Sequence, residues 1–260
     1  MITGAVAAEW RKLWSVRSTY RVLAVTVAFT GFTILLALQM AHVWDGLPAE
    51  RRDEMRLRPL QEISTWVASL CLAVLGALSV TSEYRTGMIR ASLTAVPRRR
   101  ALLLAKAVVV GAVALAAGEA AAAGSFLGTR LAVGDRPFPD QHASLVHDLP
   151  GLLVEGTAVP VFALLGLSLG VLLRSTAGTL VSVVFLWHVL PLLAFHLPRP
   201  WSERVGSVMP GGLPAQMAGF GADNSIYGDL LSPGAATAVL LAYALVPLGL
   251  AALVLGGRDA

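Results

Sequence analysis

The sequence is short of charge. Asp, Glu, Lys and Arg make up 14% of its 260 residues, against about 25% in soluble globular domains. Hydrophobic residues make up 56%, and the mean hydropathy is +0.70. A soluble two-layer domain cannot cover that much apolar surface, and a disordered chain does not carry it. Cysteine is nearly missing. Cys71 is the single one, which excludes an internal disulfide and a cysteine-built zinc site. It lies in an apolar run and reads as a packed thiol. Lysine is almost absent too: Lys12 and Lys106 stand against 18 arginines. Neither lysine follows a glycine, so no G-x-x-x-x-G-K-S/T phosphate loop exists.

What is present is long apolar runs. A stretch of about 20 apolar residues spans a hydrocarbon core of ~30 Å as a helix. Six such runs occur: Val22–Val43, Ile63–Thr81, Ala107–Gly128, Leu152–Leu173, Ala177–Leu197 and Ala235–Gly256. Their Ala, Leu, Val and Gly show no alternation, which favours helices over barrel strands of ~10 residues. Helices also pair their own backbone groups, as lipid demands. Pro160, Pro191 and Pro247 fall inside three of the runs and are expected to distort them. The first run is too long for a signal-peptide core, and no small-x-small cleavage site follows it.

The charges set the expected orientation. With the N-terminus inside, 12 of the 20 Lys and Arg residues fall on the inner side. Most acids fall in the outer loops. The outer loop Asp45–Glu62 holds four arginines but also five acids, whereas Ser82–Lys106 holds six basic residues and one acid. The expected fold is therefore all-α: a polytopic membrane protein, a single domain over residues 1–260, with six transmembrane helices and both termini inside. The net charge of +4 and the pI of 9.7 then reflect membrane orientation, and no nucleic-acid partner is implied. In residues 1–21, Trp10, Leu13, Trp14 and Arg17 recur at helical steps, with Arg11 and Lys12 between them. That pattern predicts an amphipathic helix in the headgroup layer of the bilayer. Short helices are expected over Pro48–Arg58 and, at the interface, over Leu213–Phe220. The inner loop, residues 82–106, predicts a helix from about Gly87 to Ala95 that carries Ile89 and Leu93 on one side. Pro97 ends it, and Arg98, Arg99 and Arg100 meet the membrane surface.

The whole pattern resembles the permease subunit of ABC-2 type ABC transporters. Three features carry the resemblance. One is the leader Ala8-Glu9-Trp10-Arg11-Lys12-Leu13, then Arg17-Ser18-Thr19. Another is Glu83-Tyr84-Arg85-Thr86-Gly87-Met88-Ile89-Arg90, then Val96-Pro97-Arg98-Arg99 and Lys106. The third is the six-span layout with a long last outer loop. The resemblance implies a bacterial plasma-membrane protein that works as an exporter, with ATP and Mg²⁺ bound not here but in a separate cytoplasmic ATPase. It implies no enzymatic activity in this chain and a second permease chain as partner. It also implies that the loop 82–106 seats in the ATPase, through Glu83, Tyr84, Arg85, Thr86, Gly87, Ile89, Arg90, Leu93 and Pro97, with Glu83 and Arg85 bonding to that partner. The order departs from the family's usual run, because Arg85 and Thr86 precede Gly87. The region carries over, and not an atomic role for each residue.

Other motifs have plainer readings. Gly166-Leu167-Ser168-Leu169-Gly170 spells a hydrolase elbow, but that motif needs a strand-turn-helix. Gly166 and Gly170, like Gly124 and Gly128, read as helix-packing pairs. His188 and His196 share a face of the fifth run and read as polar or interfacial side chains. Glu119 sits mid-span, where a carboxylate is costly and marks a functional hypothesis. A structural hydrogen bond and a substrate path both remain open for it, and an ion-driven transporter using Glu119 is the alternative function. Glu155 lies near the outer end of its span and, with Glu119 and His188, completes the intramembrane polar set. No metal site is expected.

Overall fold

The computed structural model describes residues 2–52, 55, 59–95, 98–136, 138, 145–219 and 227–257. In chain order the helices are α1 Ile2–Ser15, α2 Arg17–Gly46, α3 Ala49–Arg52, α4 Leu60–Thr86, α5 Met88–Ala95, α6 Arg99–Val133, α7 Leu145–Leu173 and α8 Thr176–Val184. A π-helical turn, Phe185–Val189, leads into α9 Leu190–Phe195. Then come α10 Trp201–Ser207, α11 Leu213–Ala218 and α12 Pro233–Gly257. No strand occurs among the described residues. Six of these stretches are long and apolar enough to cross a membrane, and each contains all or nearly all of one apolar run. The fifth is α8 through α9.

Helix α7 is the centre. Its apolar window is 67% buried, against 17% for α2 and 22% for α12. It packs on α4, α6, α12, α8 and α11. Small residues let it approach α4 closely. The backbone of Gly76 lies on the Ala163 carbonyl, and that of Gly166 on the Ala73 carbonyl. Gly170 sits against Val80, and Gly118 of α6 against Val159. The glycine pairs therefore serve packing, as the spacing predicts. Gly128 meets Ile34 of α2. Hydroxyls clip the peripheral α2 to the bundle: Thr33 to Ser125 at 2.9 Å and Thr30 to Ser64 at 3.0 Å.

Proline acts visibly in the fifth span. Pro191 has no N–H for the carbonyl four residues back. The ladder widens just before it, and the Leu190 N–H reaches the Phe185 carbonyl five residues behind. Pro160 and Pro247 lie inside α7 and α12, which run on unbroken.

The two ends of the bundle differ. At the far end Asp45 and Arg136 form a two-point ion pair at 2.9 and 2.7 Å. Of the helix expected over Pro48–Arg58, the described part is Ala49–Arg52. The helix expected at Leu213–Phe220 is observed as α11, and Phe220 lies outside the described residues. It is a wedge and not a surface helix. Leu213 is fully buried with Ala158 and Val161 of α7 and Ala236, Leu240 and Ala244 of α12. The Gln216 amide donates to the Ser207 and Gly212 carbonyls, and its oxygen accepts from Leu231 N–H. The opposite end holds Arg17, Arg85 and Arg98–Arg100. There the chain breaks between α1 and α2 at Val16, whose backbone is extended. The Thr19 hydroxyl donates to the Leu13 carbonyl across the break.

Candidate functional site

At the basic end, the chain's two lysines meet two of its acids. Lys106 lies on the side of α6 that also buries Leu102, Leu103 and Ala105. Its ammonium donates to Glu9 Oε2 at 2.7 Å, to Glu83 Oε1 at 2.7 Å and to the Ser79 carbonyl at 3.0 Å. Lys12 donates to Glu9 Oε1 at 2.7 Å, to Glu83 Oε1 at 3.1 Å and to Ser92 Oγ at 3.0 Å. Each ammonium has three protons, and each proton has an acceptor. Two positive and two negative charges cancel. Side-chain exposure is 4% for Lys106, 6% for Glu9 and 5% for Glu83, but 33% for Lys12. Burial pulls Lys12 down, but hydrogen bonds and charges from Glu9 and Glu83 outweigh it and hold its ammonium above the ordinary value. One valence stays open. Glu83 Oε2 is buried and has no hydrogen-bond partner. A cavity of about 100 Å³ lies alongside, lined by Ser15, Ser18, Leu75, Ser82, Met88 and cluster side chains.

This cluster joins four elements. Glu9 and Lys12 come from α1, Glu83 from the last turn of α4, Ser92 from α5 and Lys106 from α6. The same end of α4 also braces the turn after α7. Thr176 donates to Thr81 Oγ1 at 2.7 Å, and the Arg174 guanidinium lies 5.1 Å over the Tyr84 ring. Arg99 donates to the Leu255 carbonyl in the last turns of α12 at 3.2 Å.

Gly87 makes the sharp turn from α4 into α5. Its φ of 71° is left-handed, where a Cβ is strained. A Cβ there meets nothing within 4 Å, so the cost of Gly87→Ala is the backbone term alone. It is expected to lose about 1 kcal/mol, seen as a fall of about 2–4 °C in the unfolding midpoint of the purified chain.

The residues singled out in the loop divide by what they face. Glu83 points inward and is spent on the two lysines, so the expectation that it reaches out to a partner is not how its carboxylate is used here. Ile89 is buried at 7%. Arg85, Thr86, Gly87 and Met88 are exposed. Tyr84 is half-buried under Arg174. Arg90 and Leu93 lie on α5, and Pro97 lies outside the described residues. In α1, Trp10 and Arg11 are exposed, while Trp14 is half-buried and meets Trp10 edge-on at 5.6 Å.

The intramembrane polar residues lie apart from the cluster. The Glu119 carboxylate is pressed against Gly156 of α7. Glu119 Oε1, Glu155 Oε2 and His188 Nδ1 are buried without hydrogen-bond partners. His188 stands edge-on to Trp66 at 5.1 Å. No group of three or more His, Cys, Asp or Glu suited to a metal ion occurs among the described residues. Ser168 is fully buried and donates to the Leu164 carbonyl at 2.7 Å within its own helix. That is the geometry of a helix-satisfied hydroxyl, not of a nucleophile. A second cavity, about 690 Å³ and apolar, opens between α7, α8 and α12, lined by Leu165, Leu169, Val181, Phe185, Val239 and Val246.

The sequence matches no protein-family model. It also matches none of the curated proteins. Glu9, Ser92 and Lys106 belong to the candidate site although sequence reasoning did not place them in it. Two signals for them were present. Glu9 and Lys12 are three apart on one helix, a pairing distance. Lysine, rare here, is the compact three-donor cation that suits a buried cluster better than an arginine fork.

Proposed function

We propose that this chain is the membrane-spanning permease subunit of an ABC-2 type ABC transporter, working as an exporter with a separate cytoplasmic ATPase. The basic end faces the cytoplasm, with both termini inside, in a bacterial plasma membrane. Helix α1 lies in the headgroup layer. A second permease chain completes the transporter, and ATP and Mg²⁺ are held by the ATPase.

The observation that carries this reading is the Glu9–Lys12–Glu83–Lys106 cluster. It fastens the segment 82–106 to α1, α4 and α6 at the end where the exposed Arg85, Thr86 and Met88 stand. A push on that segment is carried into the helices, as a motor-driven permease requires. Support also comes from the six spans and from the tie between α4 and the α7–α8 turn.

The test is co-purification with an ABC-type ATPase co-expressed from the same genome. The native chain is expected to capture it. Arg85→Glu with Met88→Asp changes two exposed side chains, so the chain stays monodisperse and capture is lost. A well-folded native chain that captures no ATPase sinks the reading. The buried, unpartnered Glu119 Oε1 favours one competing function, ion-driven transport. It requires gradient-dependent flux in vesicles without any ATPase, abolished by Glu119→Gln.

A further inference from the structure

We propose that the charge cluster is an exchange latch. When α5 is drawn away, Lys12 trades Ser92 Oγ for Glu83 Oε2, so α5 is released while α1 stays fastened to α4 and α6. The permease reading supplies only what draws α5 away; the exchange is a property of this chain alone.

The argument begins with proton accounting. Lys106 is enclosed and holds three acceptors on α1 and α4. It has nothing to exchange. Lys12 is a third exposed, and one of its three bonds goes to α5, at Ser92 Oγ. Loss of Ser92 leaves one ammonium proton without an acceptor. The other oxygen of a carboxylate that Lys12 already touches is free of any partner. The trade keeps the number of hydrogen bonds constant and fills a buried orphan acceptor, so release of α5 costs little at the cluster. Among the described side chains of α5, Ser92 and Ile89 are buried, each at 7% exposure. The adjoining cavity, lined by Met88 and Ser82, gives the side chains room to move.

The chain provides its own assay. Lys12 and Lys106 are its sole lysines, so amine acetylation read by mass spectrometry reports them directly. The full chain in lipid nanodiscs is treated with a water-soluble acetylating ester. Lys106 is expected to stay unlabelled and Lys12 to label slowly. In Ser92→Ala the Lys12 rate is expected to stay within about twofold of native, because Glu83 Oε2 takes the freed proton. In Ser92→Ala with Glu83→Gln the second oxygen is replaced by a donor. The rate is then expected to rise about tenfold beyond the product of the single effects, as one lost buried hydrogen bond allows.

A tenfold rise in Ser92→Ala alone, or a double variant that equals the product of the singles, overturns the latch. Ile89→Asp provides a second route should Glu83→Gln fail to fold. It expels the buried anchor of α5 and leaves the four charged groups unchanged, so Lys12 is expected to remain protected. Labelling at the rate of a free lysine there overturns the exchange. Capture of the ATPase is read separately, so failure of the permease reading and failure of the latch are distinguishable.

Discussion

Lys106→Met is expected to destabilise the fold strongly. The substitution keeps the length and the apolar stem but removes a cation enclosed by Glu9 and Glu83. Two carboxylates then share Lys12 alone, with Glu9 Oε2 left bare inside the bundle. Removing one member of a buried ion pair costs about 3–5 kcal/mol. That lies within reach of the whole stability of an ordinary domain. The measurement is the unfolding midpoint and the monodisperse fraction in detergent, with a midpoint fall of about 10 °C expected. Lys106→Arg is expected to fail as well. The flat five-donor fork does not fit three acceptors gathered round a point, two of them on different carboxylates. Glu9→Gln on top of Lys106→Met restores neutrality and is expected to return part of the loss. Lys12→Met is expected to cost less than Lys106→Met, because water already reaches a third of that side chain. Equal midpoints for Lys106→Met and the native chain would falsify the view that this cluster holds the basic end together.

The spans were legible because hydropathy reports burial in lipid directly. Their ends were not. The run Ala107–Gly128 belongs to a helix that starts at Arg99 and stops at Val133. Hydrogen bonding continues through Ala101–Ala105, good helix formers, before the apolar window opens. The same holds for α2, which begins five residues before Val22. Gly87 was expected to open the helix over Gly87–Ala95, whereas it makes the left-handed turn before α5; apolar periodicity does not report the sign of φ at a glycine. The wedge at Leu213 was not legible, because a short apolar stretch reads the same on a membrane surface as between two helices. Nor was the cluster. Glu83 and Lys12 are 71 residues apart, and Glu9 and Lys106 are 97 apart. Only packing brings them together, and pattern within one helix says nothing about a partner on another. The basic run in residues 82–106 drew attention to this segment, but the sequence could not tell an inward Glu83 from an outward one.

Gly166→Ala and Gly76→Ala are expected to destabilise, while Gly31→Ala and Gly111→Ala are expected to be neutral or mildly stabilising. All four add the same methyl to a helix interior, where alanine is better than glycine by about 0.5–1 kcal/mol. What differs is the neighbour. At Gly31 a Cβ meets nothing within 4 Å, and at Gly111 it meets only Leu164 Cδ2 at 4.0 Å. At Gly166 it lands on the backbone of Ala73, and at Gly76 on the backbone of Ala163. A carbonyl cannot rotate aside as a side chain can, so α4 and α7 must part. Overpacking costs about 1–3 kcal/mol, and a backbone obstacle puts these two sites at the upper end. Opposite signs in the two pairs of thermal midpoints are the expected result; a uniform sign sinks the account. The consequence reaches beyond stability. Glycine backbones lock α4 to α7, and Thr176 ties the turn after α7 back to Thr81. Helices α4 and α7 are therefore packed as one unit, with Glu83 in the last turn of α4.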